Sequence, residues 1–240
     1  MENALYTALT RQSGLLREMD QVANNIANMS TTGFRREGLI FSEFVQGTGP
    51  GEPSLSMAAA RVRDTDLLQG ALRQTASPFD MAIEGPGFFL IETPAGERLT
   101  RAGNFSPSAA GELVTPDGHR LLAEGSAPVF VPPDASVIAL GADGTLSADG
   151  APIARIGLWE PVDPIDLGRQ DGVLFAAASG IAQVEEGRIL QGFLEGSNVN
   201  PIAEVARMIE VQRSYEMAQS FLDTEDERIR NVLRTIPGQQ

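Results

Sequence analysis

The sequence predicts an α+β fold: long N- and C-terminal helices that pair as a coiled-coil stalk, with an all-β domain inserted between them. Three patterns carry that expectation. Between Ser197 and Ile236, the residues Met208, Val211, Tyr215, Ala218, Leu222, Ile229, Val232 and Ile236 fall in a 3,4 alternation, with Glu225 in the one slot that breaks it. Residues 2–29 repeat the device with Leu5, Leu9, Gln12, Leu16, Met19, Ala23 and Ile26. Between these ends, short apolar runs alternate with Gly-rich turns, as in antiparallel sheets. The chain divides accordingly into an N-terminal heptad helix (1–30), an extended connector with a possible hairpin (31–78), an all-β domain (79–196) and a C-terminal heptad helix (197–240).

In the N-terminal helix, Ala8, Leu15 and Val22 widen the apolar stripe on one side, and Ser30 to Gly33 supply turn formers that end it. Asn24, Asn25 and Asn28 stand out because Asn competes for backbone hydrogen bonds and is a mediocre helix former. They read either as helix termination or as a polar ladder at an interface. The connector offers one strand-like run, residues 39–45, and a turn-rich interruption at 47–53. In the β region the runs 81–83, 88–91, 129–131, 137–140 and 153–159 are apolar, and Gly96, Gly118, Gly144, Gly150 and Gly172 close turns, four of them after Asp. The C-terminal helix opens with Asn200 as N-cap, Pro201 at the first helical position and Glu204 near the positive end of the dipole. With no Gly or Pro from Ile202 to Ile236 it would be roughly 50 Å long at a rise of ~1.5 Å per residue.

Composition narrows the chemistry. The chain has no Cys and a single His, His119, which removes thiolate zinc sites, disulfides and Cys nucleophiles. The net charge of −14 sits in the middle, where residues 46–199 hold nine Arg against twenty acids. An acidic middle opposes nucleic acid and anionic membrane as partners, since phosphate contacts need a basic surface. No apolar run reaches transmembrane length, and the N-terminus lacks the apolar core of a secretory signal, so composition alone reads as soluble and cytosolic.

No catalytic, cofactor or metal residue is assigned. Asp117, Asp143, Asp149 and Asp171 each precede a Gly in a turn and do not have calcium-loop spacing. His119 falls beside the turn at Asp117-Gly118, and Gly85-Pro86-Gly87 is followed by no phosphate-binding Lys. Arg101, in LeuThrArgAlaGlyAsnPhe, is compatible with a ligand contact or with a β-turn. The competing class is a ligand-binding or hydrolytic β-domain on a coiled-coil oligomerisation stalk.

Three blocks carry a family resemblance. Residues 13–36 contain AlaAsnAsnIleAlaAsn followed by ThrGlyPhe, residues 80–105 contain AspMetAlaIleGluGlyProGlyPhePheLeuIle and ThrArgAlaGlyAsnPhe, and residues 190–216 run from LeuGlnGlyPheLeuGluGlySerAsnValAsnPro into the C-terminal helix. In this order they resemble the bacterial flagellar rod and hook axial proteins. Chain length and the opening MetGluAsnAlaLeuTyr favour a proximal rod subunit, with a distal rod subunit second. The resemblance implies a non-enzymatic subunit of the basal body in the periplasm, exported through the flagellar type III apparatus without a cleaved signal and polymerising into a hollow, torque-transmitting rod. Implied partners are further copies and other rod proteins, with no nucleic acid, no membrane insertion and no cofactor. The seams and matched motifs give the subunit-interface candidates Leu5, Leu9, Leu16, Met19, Asn24, Asn25, Ile26, Asn28, Gly33, Phe34, Ser197, Asn198, Met208, Val211, Gln212, Arg213, Tyr215, Leu222 and Ile229.

Overall fold

The structure, a computed structural model, describes residues 2–46, 55–184 and 186–235, with the side chains of 2–7, 41–46, 55–63, 233 and 235 left out. The expected turn at 47–53 and the last seam residue, Ile236, lie outside the described residues. Among the described residues there are two α-helices, α1 (Glu2–Ala27) and α2 (Pro201–Thr235), one short 3-10 turn and eighteen strands. This overturns the expected architecture. The molecule is a large, mostly β body with one helix at each end of the chain, not a coiled-coil stalk carrying an inserted β domain.

The chain forms two compact units. In the first, α1 packs against α2 and against the strand Glu37–Gln46, which pairs with Leu55–Thr65 in a two-stranded sheet. The helices run antiparallel: Gln12 meets Gln219, Glu18 meets Arg207 and Asn25 meets Glu204. The physical reason that this is no coiled coil lies in the buried stripe of α1, which is Leu15, Glu18, Val22 and Asn25. That line is the expected seam of Leu16, Met19, Ala23 and Ile26 displaced by one residue, about 100° around the helix. Leu9 and Leu16 are 47% and 44% exposed. Half of the true stripe is polar, so hydrogen bonds replace interlocking apolar knobs. On α2 the seam is covered from Met208 to Leu222 but ends there, with Ile229 and Val232 39% and 51% exposed.

The start of α2 follows the sequence rules. Asn200 Oδ1 accepts from the N–H groups of Ile202 and Ala203 at 3.1 and 3.2 Å, and Pro201 occupies the first turn, where its missing N–H costs nothing.

The second unit, the β body, comprises residues 28–36 and 65–199. Its main sheet has seven strands in the order Leu167–Asp171, Leu174–Ala177, Gly96–Thr100, Phe89–Thr93, Arg120–Leu121, Leu113–Val114 and Ser106–Pro107. The run Phe88 to Ile91 is continuously apolar because the strand is buried on both faces. Phe89 and Ile91 join a core with Met81, Ile83, Phe105, Leu113, Leu121 and Leu146, whereas Phe88 and Leu90 join a second with Leu99, Leu122, Leu167 and Phe175. Alternation of side chains along one strand thus feeds two cores. The Asp-Gly turns are as expected: Gly118, Gly144, Gly150 and Gly172 all have positive φ. Two further antiparallel pairs belong to the body, Met81–Glu84 with Arg188–Gln191 and Leu72–Gln74 with Phe193–Glu195.

Candidate subunit-interface site

The interface candidates from α1 separate by burial into two groups. Asn25 is fully buried and uses all of its amide: Nδ2 donates to the Glu37 carbonyl at 2.8 Å and to Glu204 Oε2 at 3.2 Å, and Oδ1 accepts from the Glu37 N–H at 3.1 Å. Its side chain therefore pairs with the first residue of the strand Glu37–Gln46 as a neighbouring strand would, and ties α2 to the same point. Asn25 is a strut inside the chain. Leu9, Leu16 and Asn24 are exposed, Met19 and Ile26 are half-buried, and the Leu5 side chain lies outside the described residues.

A second polar clasp joins the helices. Arg207 Nε donates to Glu18 Oε1 at 2.7 Å, and its other end pairs with Glu210. Around it Val211 is buried, Met208, Tyr215 and Leu222 are half-buried, and Gln212, Arg213 and Ile229 are exposed. Glu225, the break in the seam, is held by Arg228 at 2.9 Å along its own helix.

The remaining candidates belong to the β body. Asn28 starts the turn, accepting from the Thr31 N–H and hydroxyl at 3.1 and 3.0 Å. Gly33 follows at φ +69°, and a Cβ there would meet the Ala102 nitrogen at 2.2 Å, so only Gly fits. Phe34 is 1% exposed, with the Arg169 guanidinium stacked 4.3 Å from its ring centroid and 4.7 Å from that of Phe175. Gly33 and Phe34 are thus spent on packing within the chain. Asn198 Oδ1 accepts from the Arg36 N–H at 2.6 Å, and Nδ2 donates to the carbonyls of Asp66 and Leu68, both at 2.9 Å. Ser197 caps the Val199 N–H at 3.3 Å.

Sequence reading missed the centre of this arrangement. Glu195 is fully buried and takes Arg35 at 2.7 Å, Arg101 at 3.2 Å and the Gly70 N–H at 2.9 Å, while its own carbonyl accepts from the Gly33 N–H at 2.8 Å. Arg35 also donates to the Leu68 carbonyl, and Arg101 donates to the Gly85 carbonyl at 2.8 Å with its guanidinium 5.2 Å from the Phe88 ring. Burial pulls Arg101 down to about 10 against the opposing pull of the Glu195 charge, and lowers Arg35 for the same reason. Both stay cationic at neutral pH, so two buried cations share one carboxylate. Arg101 is held inside the body by these partners and lies in no β-turn. The only signal available was the pair of Arg residues inside the matched motifs; nothing marked Glu195 as their partner.

A cavity of about 480 Å³ beside Arg101 is lined chiefly by apolar groups, among them Leu67, Leu68, Pro86, Phe88, Pro161 and Val162. Among the described residues no group of three or more His, Asp and Glu is placed to hold a metal ion. The architecture is one of struts and clasps, with apolar residues left exposed on both helices.

Comparison with known proteins fits this arrangement. The family described as flagella basal body rod protein matches residues 5–35, the flagellar hook protein FlgE/F/G D1 domain matches 82–148, and the flagellar basal body rod FlgEFG protein C-terminal family matches 190–235. The chain is 37% identical to the flagellar basal-body rod protein FlgF of Mesorhizobium japonicum, covering 97% of this chain and 98% of that one. It is 35% identical to the FlgF of Caulobacter vibrioides, over 98% of both chains. The flagellar basal-body rod protein FlgG of Bacillus subtilis is 29% identical over 97% of this chain and 98% of its own. From end to end, the chain belongs to the flagellar basal-body rod protein family, in its FlgF-like branch.

Proposed function

We propose that the chain is a structural subunit of the proximal rod of the bacterial flagellar basal body, polymerising through its terminal helices into a hollow shaft that transmits torque. The observation that carries this reading is the FlgF-like sequence along the whole chain, joined to helices that leave large apolar residues in water. Ile202, Met217 and Phe221 on α2 are 83%, 67% and 53% exposed. A helix apolar on more than one face needs more than one partner, and a rod supplies neighbours on several sides. The partners are further copies and other rod proteins, the location is the periplasm, and the route there is the flagellar type III apparatus without a cleaved signal. The subunit works by stiffness and contact, and no catalysis is assigned to it.

A distal rod subunit is the second reading, favoured by the similarity to FlgG. Deletion of the gene tests both. Loss of swimming, with basal bodies lacking the rod above its base, supports the proximal reading. Basal bodies that stop only beyond a proximal rod segment support the distal one, and normal motility refutes both.

A further inference from the structure

The intrachain packing of the first unit uses one face of each terminal helix and leaves on each an outer face that no described side chain covers. On α1 the outer face carries Leu16, Asp20 and Ala23. On α2 it carries Ile209, Arg213 and Met217, all exposed, the last two at the rim of the groove between the helices. Taken N to C on α1 and C to N on α2, the two faces show one order: large apolar residue, charge, apolar residue. The steps are four and three residues on α1 and four and four on α2, so each triplet spans about two turns of one helix face. The charges are opposite in sign. Asp20 and Arg213 are both exposed, and neither forms an ion pair among the described residues.

We infer that α1 of one copy packs antiparallel on α2 of the next copy through these faces, with Leu16 against Met217, Asp20 against Arg213 and Ala23 against Ile209. The inference rests on the rod reading and specifies which contact between copies builds it. The two faces differ and lie on different helices, so the contact is heterologous. A heterologous contact propagates into an open helical assembly or a ring instead of closing as a dimer. Because α1 and α2 are antiparallel within the chain, an antiparallel contact between copies keeps every copy pointing the same way. The assembly inherits one polarity.

The test uses a strain lacking the gene, complemented with full-length variants. Asp20→Arg alone and Arg213→Asp alone should each lower the number of complete basal bodies at least tenfold and abolish the swimming halo. The double variant should restore both, and so should co-expression of the two single variants, because the guanidinium introduced on α1 of one copy then faces the carboxylate introduced on α2 of the next. Normal swimming of either single variant overturns the inference. Rescue by the double variant without rescue by co-expression also overturns it, since that places the pair within one chain.

The chain contains no Cys, so Leu16→Cys with Met217→Cys offers an independent reading. Oxidation of isolated basal bodies should give a ladder of cross-linked multimers of this chain, absent from either single variant. Cross-linking only within one chain, or none, overturns the contact. Antibody labelling that fails to find the wild-type chain in basal bodies would instead defeat the rod reading itself.

Discussion

Replacing Asn25 by Ala offers the sharpest probe of the helix unit, because one fully buried amide makes three hydrogen bonds there. Two go to backbone groups of Glu37 and one to the Glu204 carboxylate. A neutral bond of this kind contributes about 0.5–1.5 kcal/mol and one to a charged group about 1.5–3, so the three together give roughly 2.5–6 kcal/mol. A working figure near the lower end, about 3 kcal/mol, allows for water entering the space left by the side chain. At 1.36 kcal/mol per factor of ten this is an increase of about a hundredfold in local opening. Hydrogen exchange measures it directly: the Glu37 amide and its neighbours in the strand should exchange about a hundred times faster than in wild type. The β body should be unaffected, with Trp159 fluorescence and its unfolding unchanged. Asn25→Asp should be at least as damaging at neutral pH, because it removes both donors and sets a second carboxylate beside Glu204; the defect should ease as the solution is acidified through the carboxylate range. A Glu37 amide that stays protected within threefold in Asn25→Ala would refute the strut.

Other changes probe the rest of the frame. Gly33→Ala puts a methyl group 2.2 Å from a backbone nitrogen at a positive φ, and the body should lose several kcal/mol and melt well below wild type in a thermal scan. Glu195→Gln leaves the buried Arg101 without its counter-charge and Arg35 with only the more distant Asp66, at a cost of about 3–5 kcal/mol; chemical denaturation followed by Trp159 fluorescence should show it, and a loss below about 1 kcal/mol would mean that water reaches the cluster. Leu222→Asp with Ile229→Asp should leave the β body folded and abolish rods, and normal assembly would refute polymerisation through the helices.

Much of this frame was legible residue by residue. Asn200 and Pro201 fix the start of α2 because N-capping is local chemistry, and the Asp-Gly turns are equally local. The helix pairing was misjudged for a physical reason: α1 carries two adjacent apolar lines at seven-residue spacing, Leu9/Leu16 and Leu15/Val22, and periodicity gives the period without saying which line meets α2. Burial decides it, and the buried line holds Glu18 and Asn25, which a search for apolar seams passes over. The three Asn illustrate the same limit. They look alike in sequence, yet Asn25 is buried, Asn28 half-buried and Asn24 exposed, because Asn24 and Asn25 point different ways around α1 and Asn28 lies past its end, in the turn. Arg35 and Glu195 could not be paired by inspection, since 160 positions of chain separate them. A domain cut at 79–196 keeps Glu195 and discards Arg35.

That separation has a consequence in time. Gly33 and Arg35 leave any ribosome or narrow channel long before Glu195, and until it arrives Arg35 has no carboxylate to bury against and the Gly33 N–H no carbonyl to meet. The first turn of the body must wait in water for the last strand. Closing so long a loop is slow, because chain entropy is lost before contacts repay it. The body therefore forms late, as one event, and a chain still being threaded has no finished β body to obstruct its passage.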